Sequence, residues 1–107
     1  MNALVSIGLA HYLVVASILF VAGLITVATR RNAVAILMGV ELILNAASLN
    51  FVAFSRSVSP AELTGHIFAI FVMAIAAAEA AVGLAIVITI YRNRSEITVD
   101  DVNMLKW

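Results

Sequence analysis

The sequence contains no cysteine. That excludes disulfides, thiolate metal sites and iron–sulfur ligation by this chain. Charge is also scarce, at 11% of 107 residues, against about 25% in soluble domains. Six Lys and Arg balance six Asp and Glu, for a formal net charge of zero, so no basic field points to nucleic acid. Glycine-rich phosphate loops, catalytic triads and metal-ligand spacings are likewise missing, and no metal site is expected. What fills the chain instead is apolar: 64% of residues are hydrophobic, where soluble domains run near 45–50%. The solvent for most of this chain is lipid.

The apolar residues fall into three runs, near residues 4–29, 33–54 and 61–91. Each exceeds the roughly 20 residues needed to cross about 30 Å of hydrocarbon at 1.5 Å per residue. The fold class expected is an all-α integral membrane protein, a single membrane domain of three transmembrane helices. No Lys or Arg precedes the first run, so it reads as a retained helix and not a signal peptide. Asn32, after Arg30 and Arg31, is placed to cap the second helix. Ser55 to Ser59 reads as a polar loop. In Ser59-Pro60-Ala61-Glu62, Ser can cap, Pro can take the first helical position and Glu can reach back. The tail, residues 92–107, is polar, with Ile97, Val99, Val102, Leu105 and Trp107 interleaved.

Orientation follows from the basic residues. Arg30, Arg31, Arg92, Arg94 and Lys106 fall on one side and Arg56 on the other. Basic residues concentrate in cytoplasmic loops, so the N-terminus is expected outside and the C-terminus in the cytoplasm.

Two acids interrupt the apolar runs: Glu41 in the second and Glu79 in the third. A charge at mid-helix costs about 2.5–3.5 kcal/mol on translocon scales, and such residues mark ion or proton paths. At 100° per residue, Asn45 and Ser48 lie within about 40° of Glu41, so the second helix carries a narrow polar stripe. Ala76, Ala80 and Gly83 surround Glu79, and small residues let another helix approach closely. Glu41 lies about 14 Å from the Asn32 end and Glu79 about 18 Å from the Tyr91 end. In antiparallel helices the two acids then sit at similar depth. A packing role, with each carboxyl hydrogen-bonded to a neighbouring helix, is the alternative to proton transfer. Arg30 and Arg31 serve topology or the approach of a proton. His11 and His66 lie near the outer helix ends, with no role assigned.

Arg30-Arg31-Asn32, Gly39-Val40-Glu41 with Asn45, and Ala77-Ala78-Glu79-Ala80-Ala81-Val82-Gly83-Leu84 resemble the subunit K family of the proton-pumping NADH–quinone oxidoreductase, respiratory complex I. The likeness covers nearly the whole chain. It implies a small membrane-arm subunit of an enzyme that couples electron transfer to proton translocation. Glu41 and Glu79 would act in the proton relay, with Asn45, Ser48, Arg30 and Arg31 in support. It implies no cofactor in this chain. NAD, flavin, iron–sulfur clusters and quinone would belong to partner subunits. The partners implied are antiporter-like subunits and small neighbours within a bacterial plasma membrane or a thylakoid. The small subunit of a multisubunit cation/proton antiporter is the alternative, and it usually lacks this pair of glutamates. Small multidrug exporters need four spans with the acid in the first. An ATP-synthase ring subunit needs two helices and one acid. A structural assembly factor would have no use for two buried acids.

Overall fold

Gly8 starts the first helix. In the computed structural model, which describes residues 7–94, its extended backbone turns into α1 (Leu9–Thr29). His11 Nδ1 accepts from the Gly8 N–H at 3.1 Å, and the His11 N–H donates to the Gly8 carbonyl at 3.1 Å. The helix therefore begins at Leu9 and not at residue 4. Ile7 and Gly8 precede it, and residues 4–6 lie outside the described residues. The Arg30 N–H closes α1 on the Thr26 carbonyl at 3.0 Å.

Asn32 caps α2 (Ala33–Val58) as expected. Its Oδ1 accepts from the N–H groups of Val34 at 2.8 Å and Ala35 at 3.4 Å. This satisfies donors that a helix start leaves open.

The second turn differs from expectation. Ser55, Arg56 and Ser57 are helical, so α2 runs four residues beyond Phe54. Polar side chains do not by themselves end a helix. Pro60 does, because the residue before a proline is pushed out of the helical region, and Ser59 has φ −139° and ψ 75°. Nor does Ser59-Pro60-Ala61-Glu62 form a capping box. The Glu62 N–H donates to the Ser59 carbonyl at 3.0 Å, a β-turn with Pro at its second position. The third helix, α3 (Thr64–Arg94), starts later, and the Leu63 carbonyl accepts from Ile67 at 2.9 Å. Ser55 Oγ, from α2, takes the Gly65 N–H at 3.2 Å. Residues 95–107, with the interleaved tail, lie outside the described residues.

All three helices are long and apolar enough to cross a membrane. α2 is central and packs against both α1 and α3. The seams are made of small residues. Ala16, Ala46, Ala53, Ala69 and Ala76 are buried, while large side chains such as Ile18, Phe20, Ile70, Phe71 and Ile75 face outward. That is the membrane pattern: lipid accepts apolar surface, so close backbone approach decides what lies inside. The α1–α2 seam is tightest at two glycines. A Cβ on Gly23 would lie 2.7 Å from the Gly39 carbonyl oxygen, and one on Gly39 would lie 3.0 Å from that of Gly23. In the α2–α3 seam, a Cβ on Gly65 would overlap Ser55 and the Phe51 carbonyl. The Phe51 and Phe68 rings stack beside it, 6.0 Å apart.

Candidate functional site

The contacts between α2 and α3 fix where the two acids stand. Gly83 faces Leu37 and Gly65 faces Ser55. The helices are therefore antiparallel, and one register holds over eighteen residues of each. Stepping four residues in from the Leu37–Gly83 pair brings Glu41 level with Glu79. The matched depth counted from the sequence has a direct packing basis.

The faces differ. At 100° per residue, Glu41 lies within about 40° of Leu37, and so on the side of α2 turned to α3. It is half-buried, and its Oε1 is buried with no hydrogen-bond partner among the described residues. The opposing side of α3 carries Ala69, Ala76 and Val87, all buried, with Ala80 and Gly83 half-buried. None of those side chains offers a donor. Glu79 sits beside this stripe and not in it. It is exposed and lines a shallow groove with Val82, Gly83 and Ile86.

The remaining residues of the expected site separate. Ser48 is buried, at 8% exposure, but its hydroxyl donates to the Leu44 carbonyl of its own helix at 3.1 Å. Asn45 is exposed. Arg30 and Arg31 are exposed in the turn between α1 and α2, a helix end away from both acids. Among the described residues no three His, Cys, Asp or Glu side chains gather to hold a metal.

Two polar groups that the sequence left without a role are notable: Asn50 Oδ1 and His66 Nδ1 are buried with no hydrogen-bond partner among the described residues. Asn50 lines a groove between α1 and α2 with Ser17 and Phe20. His66 lines a cavity at the Arg56 end with Tyr12. Asn50 was visible as an amide inside an apolar run. His66 stands out only once the fold brings it to the same cavity as Tyr12.

Three helices long and apolar enough to cross a membrane, with a half-buried acid midway along the second, define an integral membrane protein of three spans. Residues 11–107 match the family described as NADH-ubiquinone/plastoquinone oxidoreductase chain 4L, and the chain belongs to it. It is 59% identical to NADH-quinone oxidoreductase subunit K 1 of Koribacter versatilis, over 94% of this chain and 97% of that one. It is 52% identical to NAD(P)H-quinone oxidoreductase subunit 4L of Leptolyngbya boryana, over 92% and 98%. Subunit K of Desulfitobacterium hafniense is 53% identical over 96% and 98%. These relatives favour the oxidoreductase over the antiporter subunit.

Proposed function

We propose that this chain is the small membrane subunit of a quinone oxidoreductase complex and that Glu41 and Glu79 pass protons or charge along its membrane arm. The observation that carries this is the buried, unpartnered Oε1 of Glu41, held level with a second acid on the adjacent antiparallel helix. A carboxyl kept for packing would be expected to meet a donor. One left without a donor is free to take and give a proton, or to bind the water that brings one.

Glu79 faces outward into its groove, which places the second acid where a helix of a neighbouring subunit can reach it. Charge would then move between subunits through Glu79 and within the chain through Glu41. Asn45 and Ser48 flank the route, and Arg30 and Arg31 mark the end from which protons enter. The N-terminus lies outside and the basic side faces the cytoplasm or its equivalent. NAD, flavin, iron–sulfur clusters and quinone would be handled by other subunits; for the clusters, this chain has no cysteine to act as a ligand. Antiporter-like subunits and small neighbours are the partners.

The test is Glu41→Gln in the assembled complex. Gln keeps size and hydrogen bonding but cannot ionise, so titration separates from packing. Pumping should fail while assembly and electron transfer from the donor side persist. Wild-type pumping would overturn the assignment, and loss of the complex would favour a packing role. Cysteines at Ser57 and Ser95 should react from opposite sides of the membrane.

A further inference from the structure

At the Arg56 end of the bundle the three helices line a half-open cavity of about 260 Å³, formed by Tyr12 of α1, by Val52, Arg56 and Ser57 of α2, and by His66 of α3, with Arg56 and Ser57 exposed at its rim. Each of its polar side chains can donate a hydrogen bond. Arg56 brings a guanidinium fork, Tyr12 and Ser57 bring hydroxyls, and His66 brings an imidazole whose Nδ1 is buried and unpartnered. Among the described residues no carboxylate lines it. Glu62, the acid nearest in sequence, is exposed and lines a different groove, with Phe54 and Phe68. Among the described residues the other arginines, Arg30, Arg31, Arg92 and Arg94, lie at the opposite helix ends. Arg56 is exposed and pairs with no acid among the described residues, so its charge is open to an anion at the cavity.

We propose that this cavity binds the phosphodiester headgroup of an anionic phospholipid. Depth selects the lipid. The 26 residues of α2 extend about 39 Å, longer than the roughly 30 Å of hydrocarbon. Arg56 and Ser57, in its last turn, therefore stand at headgroup level. Chemistry selects the phosphate. A guanidinium binds two phosphate oxygens side by side, and hydroxyl and imidazole donors can reach the others. The buried imidazole nitrogen, otherwise an uncompensated polar atom, gains a partner. Val52 supplies an apolar wall for the glycerol. The site is independent of whether the glutamates carry protons.

The test uses the assembled complex, extracted in mild detergent from membranes containing phosphatidylglycerol, with bound lipid counted by native mass spectrometry. The wild type should retain one more phosphatidylglycerol than Arg56→Gln, with retention falling roughly tenfold, the scale of one charge-assisted hydrogen bond. Tyr12→Phe, which removes only a hydroxyl, should weaken retention less. Inorganic phosphate should not displace the lipid, because the acyl chains hold it. Equal retention in wild type and Arg56→Gln would overturn the proposal. So would displacement by inorganic phosphate, which would show a free-anion site. A carbodiimide cross-link from Arg56→Lys to a neighbouring subunit would also overturn it, by showing a protein carboxylate in the cavity.

Discussion

Glu41 and Glu79 are the same residue type at the same level of two packed helices, yet one is held within the chain and the other is turned out of it. Glu41 Oε1 is buried on the side of α2 turned to α3, with no hydrogen-bond partner among the described residues. Glu79 lines an open groove on the far side of the α3 packing stripe. The difference arises from one residue of offset. The stripe on α3 runs through Gly65, Ala69, Ala76, Ala80 and Gly83, and Glu79 falls just beside it. The chain half-buries one acid and leaves the other exposed.

The largest effect expected is functional. Glu41→Gln should lower the rate of proton pumping by roughly a hundredfold, within the range for removal of a positioned proton-transfer group. Glu41→Asp should restore part of it. Glu79→Gln should do less, because a group at a subunit boundary has water or a partner's side chains as alternatives. Pumping measured in inverted vesicles ranks the two, and a greater loss at Glu79 would reverse the comparison.

Labelling separates the two environments directly. A cysteine in place of Glu79 should react with a membrane-permeant maleimide in the detergent-solubilised isolated chain and be protected in the assembled complex. A cysteine in place of Glu41 should be slow in both. Equal reactivity of the two positions in the isolated chain would break the distinction.

Much of this was legible in the sequence, for physical reasons that differ from part to part. The three spans follow from apolar length, and the α2 cap from an Asn with an amide oxygen in the right place. The depth of the acids follows from counting residues at a fixed rise. The second turn was misread because Ser-Pro-x-Glu suits both a capping box and a β-turn. Ser55 decides between them, and it acts from the preceding helix. The facing of Glu79 was not legible. It depends on which small residues form the seam, and α3 is apolar all round. The exposures of Asn50 and His66 depend on neighbours far away in sequence.

The seams themselves predict a smaller contrast. Gly39→Ala sets a Cβ 3.0 Å from the Gly23 carbonyl oxygen and 2.9 Å from Val27 Cγ2. Backbone cannot rotate away, so α1 must shift, at a cost of about 1–3 kcal/mol for overpacking. Gly83→Ala meets the Leu37 side chain, 3.1 Å from Cδ1 and 3.4 Å from Cδ2, and a leucine end can turn aside. Thermal stability of the assembled complex should fall for the first and change little for the second. Equal losses would mean that the α2–α3 seam is as rigid as the glycine crossing.

The smallest effect is expected at Ser48, and it bears on what supports Glu41. The hydroxyl lies two turns along the same face but is spent on the Leu44 carbonyl, a bond that serine and threonine commonly make within a helix. That carbonyl already accepts from the helix backbone, so losing the hydroxyl strands nothing. Intramembrane hydrogen bonds average about 0.6 kcal/mol in double-mutant cycles, and Ser48→Ala should cost no more. Pumping should stay near wild type, because an occupied hydroxyl neither orients Glu41 nor holds water beside it. Asn45, exposed and without this local bond, should be the more sensitive of the two. If Ser48→Ala instead lowers pumping as Glu41→Gln does, the serine has left its own helix during turnover. The enclosed acid would then have a switchable partner, and the seam around Glu41 would be a moving part.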